Sequence, residues 1–168
     1  MTVRCFASVL TGLLGATLIA AQSAAIPTRV SQRLGIGVTI QQDAFKIGAP
    51  VILSITIKNF GSEPVRIMES GPEYDYELTV FDESGKEPAR TELGEYLLHE
   101  KGFSSLQLTL QPQEERHVVF QVTKIYQLTK PGSYIARLQR VIPATSPENA
   151  KAFVERAYSA PIGFKIIQ

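Results

Sequence analysis

The sequence predicts an all-β fold, an antiparallel β-sandwich of about seven to nine strands with no disulfide and one short helix between the last two strands. Three observations carry that reading. Apolar residues recur with a period of two in runs of five to nine residues, turn residues punctuate those runs at short intervals, and Tyr134 follows a Pro131-Gly132 turn. A period of two places alternate side chains on opposite faces of a strand, so one face is buried and the other solvated. Short alternating strands with turns between them belong to sandwiches rather than to α/β folds.

The elements follow in chain order. Gly37–Gln41 is a first strand candidate. Val51–Asn59 is the clearest, with Val51, Leu53, Ile55 and Ile57 on one face and Ser54, Thr56 and Lys58 on the other. After the turn Asn59-Phe60-Gly61-Ser62, Val65 and Ile67 point the same way. Tyr76, Leu78 and Val80 alternate with Glu77 and Thr79, and Glu83-Ser84-Gly85-Lys86 then turns the chain, Gly85 supplying a cheap positive φ. Leu106–Leu110 and His117–Val122 flank the turn Gln111-Pro112-Gln113-Glu114. Ser133–Gln139 and Pro161–Ile167 complete the strands. Between them, Ser146 as cap, Pro147 at the first helical position and Ala150, Phe153, Val154 and Ala157 at helical spacing predict the short helix over Ser146–Ala157.

Residues 1–25 are not counted as fold. Cys5–Ala21 carries no charge after Arg4, and Ser23-Ala24-Ala25 offers small residues for cleavage, the order of a secretory signal peptide, with a retained membrane anchor as the alternative. The expected organisation is therefore signal peptide 1–25, linker 26–34 and one sandwich domain 35–168. Cys5, the one cysteine, leaves with the signal, so neither a disulfide nor a zinc–thiolate site is expected. The chain has 17 basic and 16 acidic residues. Such a balance argues against nucleic acid as a partner, and no apolar run after the signal is long enough to span a membrane.

In immunoglobulin-like sandwiches a tyrosine at the start of the sixth strand bonds back to the turn before it, two residues ahead of the second disulfide cysteine. Tyr134 occupies that place behind Pro131 and Gly132, with Ala136 at the cysteine position, and the role read for all three is structural. Tyr74–Glu87, Phe103–Glu115 and Leu128–Leu138 together resemble the secreted bacterial immunoglobulin-like domains related to the BsuPI-type proteinase inhibitor. They are also similar to the β-sandwich that precedes the catalytic part of deuterolysin-type metallopeptidases. The resemblance covers roughly Gly35 to Val141. It implies a non-catalytic domain that binds a peptidase or another protein. Gln113 departs from it, standing where such domains usually carry glycine.

The motifs for chemistry are incomplete. His99-Glu100 opens like the HExxH of zinc peptidases, but the second histidine position is Phe103, and Gly102 disfavours the helix that would align the ligands. His117 is the only other histidine. No G-x-S-x-G is present, and the acidic run Glu73–Glu77 lacks the D-x-[DN]-x-[DN]-G calcium loop. Neither an enzyme nor a cofactor nor a metal is expected. Tyr96, Leu97, Leu98 and Phe103 put large apolar groups into what reads as a loop, and loops are where sandwiches carry function. They are the expected partner-binding residues, unless they fold inward over the core. The expected function is a secreted or periplasmic, non-enzymatic module that binds another protein, a peptidase among the candidates. A proteinase inhibitor using Tyr96–Phe103 and a structural envelope adaptor are the alternatives.

Overall fold

The computed structural model describes residues 28–99, 105–143 and 154–168. The signal peptide, Phe103 and the first part of the expected helix lie outside these residues. Within them the fold is an all-β sandwich of eleven strands, more than the seven to nine expected because two three-residue strands lie at sheet edges and a third strand, β10, falls in the segment read as helix. The strands are β1 (Thr28–Val30), β2 (Leu34–Ile40), β3 (Ala44–Lys46), β4 (Ile52–Asn59), β5 (Val65–Glu69), β6 (Glu77–Asp82), β7 (Leu106–Leu110), β8 (Glu115–Gln121), β9 (Gly132–Ile142), β10 (Val154–Tyr158) and β11 (Ile162–Ile167). Two helices accompany them, α1 (Pro72–Asp75) and α2 (Glu92–His99), with a 3-10 turn over Val122–Lys124.

One sheet runs β2-β4-β8, antiparallel throughout. The other is organised around β9, eleven residues long. One edge of β9 pairs with β6, and its other edge pairs first with β11 and then with β10. β3 and β1 extend this sheet by parallel pairing with β11 and β10. β5 and β7 form a separate antiparallel ladder. The inward residues of all three sheets join one core, including Val51, Leu53, Ile55 and Ile57 of the β4 region, Leu78 and Val80 of β6, Phe120 of β8 and Leu138 of β9. Each is at most 6% exposed. A fully buried aliphatic side chain of this kind contributes about 1.5–3 kcal/mol, so this alternation is the main reason the chain folds as it does.

Turn chemistry fixes how the strands connect. The Tyr134 hydroxyl donates to Lys130 O at 2.8 Å, and its ring stacks on Phe164 at 5.7 Å. Gly132 holds φ 153°, which lets the chain enter β9 directly behind Pro131. Gln113 takes the left-handed conformation at φ 66° in the turn from β7 to β8, which crosses from one sheet to another rather than closing a hairpin. Asn59, fully buried at the end of β4, ties that region together. Its Nδ2 donates to Glu63 O (2.8 Å) and Leu110 O (3.0 Å), and its Oδ1 accepts from Gly61 N (2.9 Å).

Two expected segments differ. Residues 28–30, read as linker, form β1 against β10. Val154 and Ala157, read as one face of a helix, lie in β10, where Arg156 is paired opposite Val141 and Ala157 opposite Arg140. A short helix lies earlier in the chain, as α2, and residues 146–153 of the expected helix are outside the described residues. No described helix is long and apolar enough to cross a membrane.

Candidate functional site

Residues Glu92–His99, read as a loop, form α2 because Thr91 caps it. The Thr91 hydroxyl accepts from Gly94 N at 3.0 Å and donates to Lys124 O, fastening the helix start to the 3-10 turn. Gly94 is buried against that turn so closely that a Cβ would stand 2.3 Å from Ile125 O. Leu93 and Leu97, one helical turn apart, pack against the core. Tyr96 (48% exposed) and Leu98 (49%) face outward.

Between α2 and the β6 edge lies a cleft of about 560 Å³. Leu97 and Leu98 form one wall; Tyr76 at the end of α1, Leu78 of β6 and Ile125 give it an apolar lining, and Gln139, Val141 and Arg156 come from β9 and β10. The structure thus brings Leu97 and Leu98 into one site and leaves Tyr96 outside its lining. Ion pairs surround the opening. Lys124 Nζ meets Glu73 Oε1 at 2.6 Å, Arg156 Nη1 lies 3.0 Å from both oxygens of Glu77, and Arg90 Nη2 is 2.5 Å from Glu87 Oε1. Gln139 also donates to Glu77. The Arg90 guanidinium lies 4.8 Å from the Tyr126 ring centroid.

Several backbone groups on the β6 edge beside this cleft are occupied. The buried Tyr126 hydroxyl donates to Glu87, lies 3.1 Å from Leu78 O and accepts from the Val80 backbone. Burial first, then the bond to Glu87, hold the phenol well above its ordinary pKa, so it stays a protonated donor. Asp82 N donates to Lys86 O (2.9 Å) and Tyr76 N to Pro72 O (3.2 Å). An edge with several outward groups already bonded is a poorer template for an added strand.

A second depression, about 330 Å³, adjoins the first and shares Tyr74, Glu77 and Val141 with it. Here Arg140, buried on the inward side of β9, stands 3.7 Å from Asp75 and 4.9 Å from the Tyr76 ring centroid, and donates to Met68 O. Asp75 accepts from Ser70 N at 2.9 Å. The cluster therefore ties β9 to β5 and α1. The Tyr76 hydroxyl is buried without a hydrogen-bond partner among the described residues, and burial, opposed by Arg140, raises its pKa. Alternation alone reveals Arg140: Tyr134, Ala136, Leu138, Arg140 and Ile142 share one face of β9.

The histidines lie elsewhere. His99 ends α2, and His117 sits on the outer face of β8 with Nδ1 2.9 Å from Thr56 Oγ1 and Nε2 3.4 Å from Glu115. Among the described residues no group of three His, Cys, Asp or Glu side chains could hold a metal ion. In the acidic run, Glu73 and Glu77 are spent on ion pairs and Asp75 on backbone amides.

These features define the chain as an immunoglobulin-like β-sandwich. No protein-family model and no curated protein matches the sequence. Solved structures with a similar fold include the CARDB domain of PF1109 from Pyrococcus furiosus, crystallised with di-metal ions (TM-score 0.40, 13% identity, 79% of this chain and 91% of that one). A β-glucosidase from Listeria innocua (TM-score 0.45, 13% identity) is matched over 81% of this chain. This chain spans only 16% of that enzyme's length. A β-glucosidase from Erythrobacter marinus is matched to a similar extent (TM-score 0.43, 11% identity, 80% of this chain and 15% of that one).

Proposed function

We propose that this chain is a secreted or periplasmic, non-enzymatic module that binds another protein through the cleft beneath α2. The observation that carries the reading is the cleft's composition: an apolar lining with Leu97 and Leu98 at its wall, encircled by charges already paired with one another. Apolar centres with polar rims are the anatomy of side-chain-mediated protein contacts. The uncharged stretch Cys5–Ala21 supports export, and the resemblance to BsuPI-type domains supports a binding role. The inhibitor alternative is weaker, because an inhibitor entering a peptidase cleft offers extended backbone and Tyr96–His99 are helical.

The test is site-specific photo-crosslinking in the source cell, with a benzophenone side chain at position 98 and, as control, at position 119 on the outer face of β8. A discrete protein adduct at 98 that is absent at 119 is the expected result. No adduct at 98, or the same adducts at both positions, refutes the cleft as the binding site.

A further inference from the structure

The outer face of the β9 sheet carries charge that the rest of the molecule leaves unanswered. Lys46 on β3, Lys165 on β11 and Arg137 on β9 are exposed and make no ion pair among the described residues; Arg66, Lys86 and Lys130 make none either but lie on no strand of this sheet, whereas Arg33, Lys58, Arg90, Arg116, Lys124, Arg140 and Arg156 all have carboxylate partners. Apolar groups lie between them. Ile135 (50% exposed) pairs with Phe81 (38%) on one side and with Gly163, which adds no side chain, on the other. Ile167 (44%) pairs with Lys46. We infer that this face docks an acidic, apolar segment of a partner protein.

The register gives the segment its pattern. Lys165 is paired opposite Ser133, so Lys165 and Arg137 are separated by four residues along β9, roughly 14 Å, with Ile135 midway. An extended segment lying along β9 places every second side chain on the sheet. It meets the two cations and the isoleucine when its sequence reads acid-x-apolar-x-acid. A second copy of this chain is the wrong occupant, because two such faces would oppose six cations. Single-stranded nucleic acid would stack its bases on aromatic rings, and the centre of this face is Ile135 with a single neighbouring ring.

Thr79, paired opposite Arg137, also lines the cleft, whereas Leu97 and Leu98 belong to α2 and not to this sheet, so substitution of Leu98 tests the two apart. The probe is a fluorescein-labelled peptide of repeated Glu-Ser-Phe-Ser-Glu units, followed by anisotropy at low ionic strength with the full chain. Saturable binding is expected, weakened at least tenfold by Arg137→Glu with Lys165→Glu and severalfold by Ile135→Ser. It is also expected to fall at about 0.15 M salt, where screening acts over about 8 Å. Leu98→Glu should bind as the parent does. Thermal unfolding of each variant checks that it folds, and all four substituted side chains are exposed. Four results would overturn the inference: unchanged binding by the charge-reversed variant, equal binding of a peptide with Ser for Phe, tighter binding of an oligothymidylate of equal charge, or loss with Leu98→Glu alone. The last result would leave the cleft reading standing.

Discussion

Asn59 is the residue whose substitution tests the fold most sharply. It is fully buried and satisfied on every polar atom, with two carbonyls, Glu63 O and Leu110 O, facing its amide nitrogen at 2.8 and 3.0 Å. Asn59→Asp keeps the shape and the bond from Gly61 N but replaces that nitrogen with oxygen. Protonated, the new carboxyl can donate to only one of the two carbonyls; ionised, it donates to neither and sets a negative charge against both. The folded protein therefore holds the proton more tightly than the unfolded chain does, and the aspartate pKa rises above its unfolded value of about 3.9.

The sign follows from linkage. For a carboxyl whose folded pKa is raised, the cost of the substitution is smallest below about pH 4. It then grows by about 1.4 kcal/mol per pH unit until the folded pKa is passed. Near pH 3.5 the variant lacks one hydrogen bond, about 1 kcal/mol. At pH 7, with a buried charge against Leu110 O, the loss should reach about 3–5 kcal/mol, the usual consequence of an uncompensated buried charge. Urea titrations of parent and variant at both pH values measure this. At about 2–4 °C per kcal/mol, the melting temperatures should differ by a few degrees in acid and by about 6–20 °C at neutral pH. A gap that stays constant or narrows as pH rises would show that Asn59 does not face two carbonyls, and the placement of the β4–β5 turn against Leu110 would be wrong.

Three further outcomes are expected. Gly94→Ala gains about 1 kcal/mol of helix propensity yet puts a methyl 2.3 Å from Ile125 O, so the net effect should be a loss of about 1–3 kcal/mol in urea unfolding; a stabilised variant would mean α2 is not seated there. Gln113→Gly relieves a left-handed side chain at φ 66° and should raise stability by up to about 1 kcal/mol, and a clear loss would refute that backbone assignment. Glu155 is desolvated, which raises its pKa, but bonds from Arg33 (2.5 Å) and Ser31 (2.7 Å) outweigh this and lower it. Its contribution to stability is therefore present above the unfolded carboxylate pKa and lost as pH falls through the folded one. Glu155→Gln should flatten that acid limb of the melting curve; an unchanged limb refutes the assignment.

What the sequence made legible depended on how many residues agreed with one period. In the stretch from Val51 to Ile57 four inward positions repeat without exception, and their burial follows. Tyr134 was readable because a turn and a tyrosine stand at a fixed spacing. The cleft was half readable: Leu97 and Leu98 declared themselves as large apolar groups. The helix that presents them did not, because eight residues interrupted by Gly94 give little periodicity. Thr91 ahead of Glu92, with Leu93 and Leu97 at i and i+4, is the signal that would have found it.

β10 shows the opposite failure, a pattern that fits two periods. Val154 and Ala157 complete a helical face begun at Ala150, yet Arg156 and Tyr158 also alternate with Glu155 and Ala157. Five residues cannot choose between 3.6 and 2 by themselves. What decides is β9, whose outer half beyond Leu138 would otherwise leave Gln139–Ile142 unpaired along one edge. Pairing Glu155–Tyr158 there fills that edge, buries Ala157 beside Arg140, and brings Arg156 across to Glu77 at the cleft. The misread segment is thus the one that supplies a charge to the candidate site. Local propensity cannot reveal such a residue, because its partner lies 79 positions away in the chain.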